Sequence, residues 1–66
     1  MDELKITLRA ARVNAGLTID QAAKKMGVGY NRVLYWEQKP ETVQAKWQKI
    51  LSETYGIPLH NLFFGI

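Results

Sequence analysis

Apolar positions recur along this chain with the spacing of helices, and no segment alternates with period two for long. Leu4, Leu8 and Ala11 stand at i, i+4 and i+7 and predict a first helix from about Asp2 to Asn14, with Gly16 as its stop. Ala22, Ala23 and Met26 predict a second helix that ends at Gly27. Val33 and Trp36 face inward from a third that starts near Gly29. Lys39-Pro40-Glu41 breaks the pattern, because proline disfavours a helical residue before it. Thr42 is placed to cap a fourth helix with Val43, Trp47, Ile50 and Leu51 on one face, ending at Gly56. Pro58 then opens a short fifth helix carrying Leu59, Leu62 and Phe63. The expectation is an all-α, compact five-helix fold, with residues 1–66 as a single domain.

The second and third helices carry the strongest local signals. Thr18 and Gln21 form a T-x-x-Q capping box, in which each side chain serves the other residue's backbone N–H. Leu17 before the cap can pack on Ala22 as a hydrophobic staple. Gly27 can take a positive φ and turn the chain sharply. Two helices joined by so short a turn predict a helix-turn-helix, one helix propping the other.

Composition narrows the function classes. With 66 residues and 47% hydrophobic content the chain reads as one small globular domain of marginal stability. It has no cysteine, which removes disulfides and thiolate metal sites and fits a reducing cytoplasm. No apolar run approaches a membrane span, and the acidic opening MDELK is not that of a signal peptide. A net charge of +3 suits a polyanion partner without requiring one. His60 stands alone, so no metal site is expected. No nucleophile and base occur together, so neither an enzyme nor a cofactor or small-molecule ligand is read.

Leu17-Thr18, Ala23, Gly27-Val28, Val33 and Trp36-Glu37 occur in the order and spacing of a known family. Arg12 and the tail Tyr55-Gly56-Ile57 with Leu59 and Leu62 match it as well. Over nearly its whole length the chain resembles the lambda-repressor-like helix-turn-helix domains of phage repressors, Cro proteins and XRE-type regulators. It departs from their pattern at Ile19, where Gln is common, at Gly29, where Ser or Thr is common, and at Lys39, where Gly is common. Pro40 also arrives early, shortening the connection to the next helix.

The resemblance implies a bacterial or phage transcription regulator, a repressor in type, that binds double-stranded DNA as a homodimer on a pseudo-palindromic operator. The start of the third helix would enter the major groove, with Gly29, Tyr30, Asn31, Arg32 and Tyr35 in contact with DNA. The Asn31 amide suits adenine N6 and N7, and Arg32 suits a guanine or a phosphate. Thr18 and Ile19 at the start of the second helix, and Gln38 and Lys39 after the third, would meet the backbone. Arg12 and Glu37 match a structural ion pair tying the first helix to the end of the third. Phe64 and Ile66 have no obvious partner in their own chain, and the family commonly dimerises through this region, so these two residues are the expected dimer interface. A competing reading uses the same scaffold as a protein-interaction module or antitoxin-like partner, because Tyr30, Leu34 and Tyr35 make the third helix unusually apolar.

Overall fold

Thr7 sets where the first helix begins. Its hydroxyl accepts the N–H of Ala10 at 3.1 Å, and the helix runs from Leu8 rather than from Asp2. The computed structural model describes residues 5–65, so Asp2, Leu4 and the rest of the expected first turn lie outside the described residues. Lys5 and Ile6 within that expectation are not helical. Ile6 instead forms a parallel bridge with Leu62: its N–H donates to the Asn61 carbonyl at 2.7 Å, and its own carbonyl accepts from Phe63 N–H at 2.8 Å. A backbone already committed to a segment 56 residues away cannot also close a helical turn.

The described chain contains four α-helices, which are α1 (Leu8–Asn14), α2 (Ile19–Met26), α3 (Tyr30–Gln38) and α4 (Ala45–Tyr55). Two 3-10 turns, Pro40–Thr42 and Leu59–Asn61, complete it, and no strand occurs among the described residues. The expected capping box of α2 is present, with Gln21 N–H to Thr18 Oγ1 at 3.1 Å and Thr18 N–H to Gln21 Oε1 at 2.9 Å. Gly27 ends α2 at φ +71°, in the left-handed region that costs a non-glycine residue about 1–2 kcal/mol.

Two further expectations differ from the structure. Thr42 does not cap α4. Its hydroxyl donates to the Lys39 carbonyl at 2.7 Å, closing the Pro40–Thr42 turn, and Gln44 takes the N-cap position instead. The fifth helix is absent: after the single turn Leu59–Asn61 the chain is extended from Leu62. Proline at position 58 permits that turn, and pairing of residues 61–63 with Ile6 stops it from propagating.

The core lies where all four helices meet. Leu8 and Ala11 of α1, Ala22 of α2, Trp36 of α3 and Leu51 and Tyr55 of α4 are buried in one cluster, closed by Val43 and Leu62. Val33 is also fully enclosed. The rings of Trp36 and Trp47 meet at 5.4 Å with a tilt of 45°, a favourable aromatic geometry that joins α3 to α4. Leu59, expected in the core, is 40% exposed. Phe64, expected to lack a partner in its own chain, is half-buried against the core. The tail continues over the Pro40–Thr42 turn so closely that a Cβ on Gly65 would stand 3.0 Å from the Glu41 Cβ.

Candidate nucleic-acid interface

The burial of Val33 and Trp36 fixes which side of α3 looks out. At about 100° per residue, Asn31, Leu34, Tyr35 and Gln38 occupy the outward side, with Tyr30 on one shoulder and Arg32 and Lys39 on the other. Tyr30 and Tyr35 are 50% and 51% exposed, and Asn31, Arg32, Gln38 and Lys39 are exposed as well. The third helix and its C-cap Lys39 therefore carry six of the expected DNA-contact residues exposed. Gly29 precedes it as an N-cap with extended backbone and no side-chain hydrogen bond, so the first N–H groups of α3 keep their donor capacity.

Two grooves flank this ridge. One, of about 390 Å³, is lined by Arg9, Arg12, Ile19, Leu34, Glu37 and Gln38. It places Ile19, at the first turn of α2, beside the outward face of α3. Ile19 is half-buried there and Thr18 is exposed, with its hydroxyl committed to the cap. The other groove, of about 310 Å³, is lined by Arg32, Tyr35, Trp36, Thr42, Gln44 and Trp47. Lys46 lies 5.7 Å from the centre of the Trp47 ring, within cation–π range.

Three of these groove residues are not among the contact residues expected from the sequence. Arg9 sits outside the motif and reaches the groove only because α1 packs behind α3. Thr42 and Gln44 reach theirs through the 3-10 turn. The signal for Arg9 was its position three residues before Arg12, one helical turn away on the same side.

Arg12 and Glu37 form the expected pair. Arg12 Nε meets Glu37 Oε2 at 2.6 Å, Nη2 meets Oε1 at 3.4 Å, and Nη1 donates to the Leu17 carbonyl at 2.9 Å. The two side chains are only 11% and 8% exposed. Hydrogen bonding to Glu37 raises the Arg12 pKa above its ordinary value, more than burial lowers it. The pair thus pins the last turn of α3 to α1 and, through Leu17, to the entry of α2. Tyr55 lies within the same field. Burial pushes its hydroxyl pKa up to about 12, the Glu37 carboxylate adds to the rise, and Arg12 opposes it. Its Oη is buried and has no hydrogen-bond partner among the described residues.

Away from this surface the remaining charges are plainly solvated. Lys24 Nζ is 3.4 Å from Asp20 Oδ2, an exposed i, i+4 pair of the kind worth about 0.3–0.5 kcal/mol. Lys5 Nζ donates to the His60 carbonyl at 3.0 Å. Of the two expected interface residues, Phe64 is half-buried in its own chain and Ile66 lies outside the described residues. No helix among the described residues is long and apolar enough to cross a membrane. No model of a known family, no characterised protein and no solved structure matches this chain.

Proposed function

We propose that this chain is a sequence-specific double-stranded DNA-binding transcription regulator, repressor-like in type. In this reading α2 and α3 act as a helix-turn-helix, with α3 lying in the major groove. The observation that carries it is the outward face of α3. This face is exposed and amide- and tyrosine-rich, it is held rigid from behind by Val33, Trp36 and the Arg12–Glu37 pair, and it is bordered by cations and a helix start. Asn31 and its neighbours would read base edges, while Lys39, Arg32 and the first turn of α2 at Thr18 and Ile19 would meet phosphates.

A duplex-binding titration over a range of salt tests this reading. If a dimer neutralises about 6 phosphates, log K falls with log salt at a slope near −5. Asn31→Ala should cost about 1–3 kcal/mol on the preferred site and relax the preference at one base pair. Lys39→Ala should weaken all sequences alike and flatten the slope by about 1. Salt-independent binding, or binding to no duplex, contradicts the reading.

Dimerisation belongs to the same proposal. A two-fold dimer would set two copies of α3 about 34 Å apart, one helical turn of the duplex. Because Phe64 is half-buried in its own chain, it would offer such a contact only its exposed part, beside the half-buried Phe63 and the exposed Leu59. A second reading is favoured by the half-exposed Tyr30 and Tyr35 beside Leu34: a partner protein could cover the same face. Salt dependence separates the two, since a tyrosine-centred protein contact releases few counterions.

A further inference from the structure

The centre of the outward face of α3 is uncharged. Opposite the buried Val33 and Trp36, the residues pointing most directly outward are Asn31 and Gln38, with Leu34 and Tyr35 about 50° to either side. The cations stand aside. Arg32 and Lys39 fall about 90–110° from the centre, and Arg32 lines the groove beside Trp36 and Trp47. On the opposite shoulder Glu37 is held by Arg12.

This arrangement bears on base choice. In the major groove guanine offers two acceptors, O6 and N7, and is best met by a bidentate Arg or Lys. Adenine offers a donor and an acceptor, which suit an Asn or Gln amide, and thymine offers its 5-methyl group to an apolar surface. The centre of this face supplies two amides and two largely apolar side chains.

Resting on the reading of α3 as a major-groove helix, we propose that it selects A·T base pairs, with Asn31 and Gln38 meeting adenine edges and Leu34 and Tyr35 meeting thymine methyls. Arg32 then serves the backbone. Guanine is disfavoured at the centre because its two acceptors would meet no Arg or Lys there, only two amides and two largely apolar side chains.

Selection of sites from a random duplex library, followed by chemical editing of the selected site, tests this. Replacing thymine by uracil beneath α3 keeps every phosphate and every hydrogen-bonding group and removes only the methyl. Selected sites should be A·T at most positions beneath α3, and each contacted methyl removed should weaken binding about fourfold. Tyr35→Ala, at an exposed position, should reduce the sensitivity to uracil while keeping the salt slope. Arg32→Ala should weaken A·T and G·C sites in equal proportion. Replacing A·T by inosine·cytosine presents a guanine-like major groove with an A·T-like minor groove, so binding should fall as far as with G·C. Sites selected with G·C pairs beneath α3, indifference to uracil, or inosine·cytosine bound as well as A·T would each overturn the inference while leaving duplex binding intact. A chain that binds no duplex would remove the proposed function and the inference with it.

Discussion

Replacing Arg12 by methionine keeps most of the buried stem and removes the guanidinium. Three contacts disappear: the 2.6 Å and 3.4 Å bonds to Glu37 and the 2.9 Å bond to the Leu17 carbonyl. The larger consequence is a Glu37 carboxylate left only 8% exposed with its counterion gone. Stranding one member of a buried pair costs about 3–5 kcal/mol, whereas replacing both by apolar residues of similar volume is often nearly neutral. At about 0.05–0.15 kcal/mol per residue, a domain of this size has a total stability of roughly 3–10 kcal/mol. Arg12→Met should therefore remove about a third of it or more. Arg12→Met with Glu37→Leu should return to within about 2 kcal/mol of the parent. Urea unfolding followed by far-ultraviolet circular dichroism at pH 7 measures all four corners of the cycle. The expected coupling is at least about 2 kcal/mol. If Arg12→Met is unfolded without urea, a folded double variant still meets the expectation. Two small and additive losses would refute the reasoning, as would a double variant no more stable than Arg12→Met.

Other perturbations follow from the same packing. Tyr55→Phe removes a buried hydroxyl that has no partner among the described residues, so stability at pH 7 should be unchanged or higher, by up to about 1–3 kcal/mol, in thermal or urea unfolding. Because the folded-state pKa of Tyr55 is raised to about 12, the parent's stability should be complete below about pH 10. It should then fall by roughly 2–3 kcal/mol as the pH passes through about 12, and Tyr55→Phe should lack this component. Gly27→Ala should cost about 1–2 kcal/mol through backbone strain alone, because nothing lies within 4 Å of the added Cβ. Gly27→Asn should cost less. Leu59→Ser should lower any self-association measured by sedimentation while leaving the helical signal intact, since Leu59 is 40% exposed.

What the sequence made legible is what local chemistry decides. Thr18, Gln21 and Gly27 define α2 from its two ends, and each acts within four residues of itself. Val33 and Trp36 orient α3, and Arg12 with Glu37 could be paired through the family resemblance. Most of the misreadings share one cause, which is a contact distant in sequence; that of Thr42 is local. Periodicity alone carried the first helix back through Ile6, but Leu62 takes up that backbone. The same pairing ends the expected fifth helix after one turn. Thr42 has the chemistry of a helix cap, yet its hydroxyl serves the carbonyl three residues behind it, so the next helix starts later, at Ala45. Phe64 looked unpartnered because its partners are core residues brought beneath it by the fold. Arg9, Thr42 and Gln44 reach the flanks of α3 only in three dimensions.

Amide chemical shifts recorded by NMR while duplex DNA is titrated into the labelled protein test the placement of α3 most directly. The expected footprint is Gly29 to Tyr35, Gln38 and Lys39, with the first turn of α2 and the groove residues Arg9 and Gln44 at its edge. Glu53 and His60 should stay unmoved, and the footprint should weaken with added salt. Shifts centred on α4 or the C-terminal segment, or none at all with duplexes selected from a random library, would contradict it.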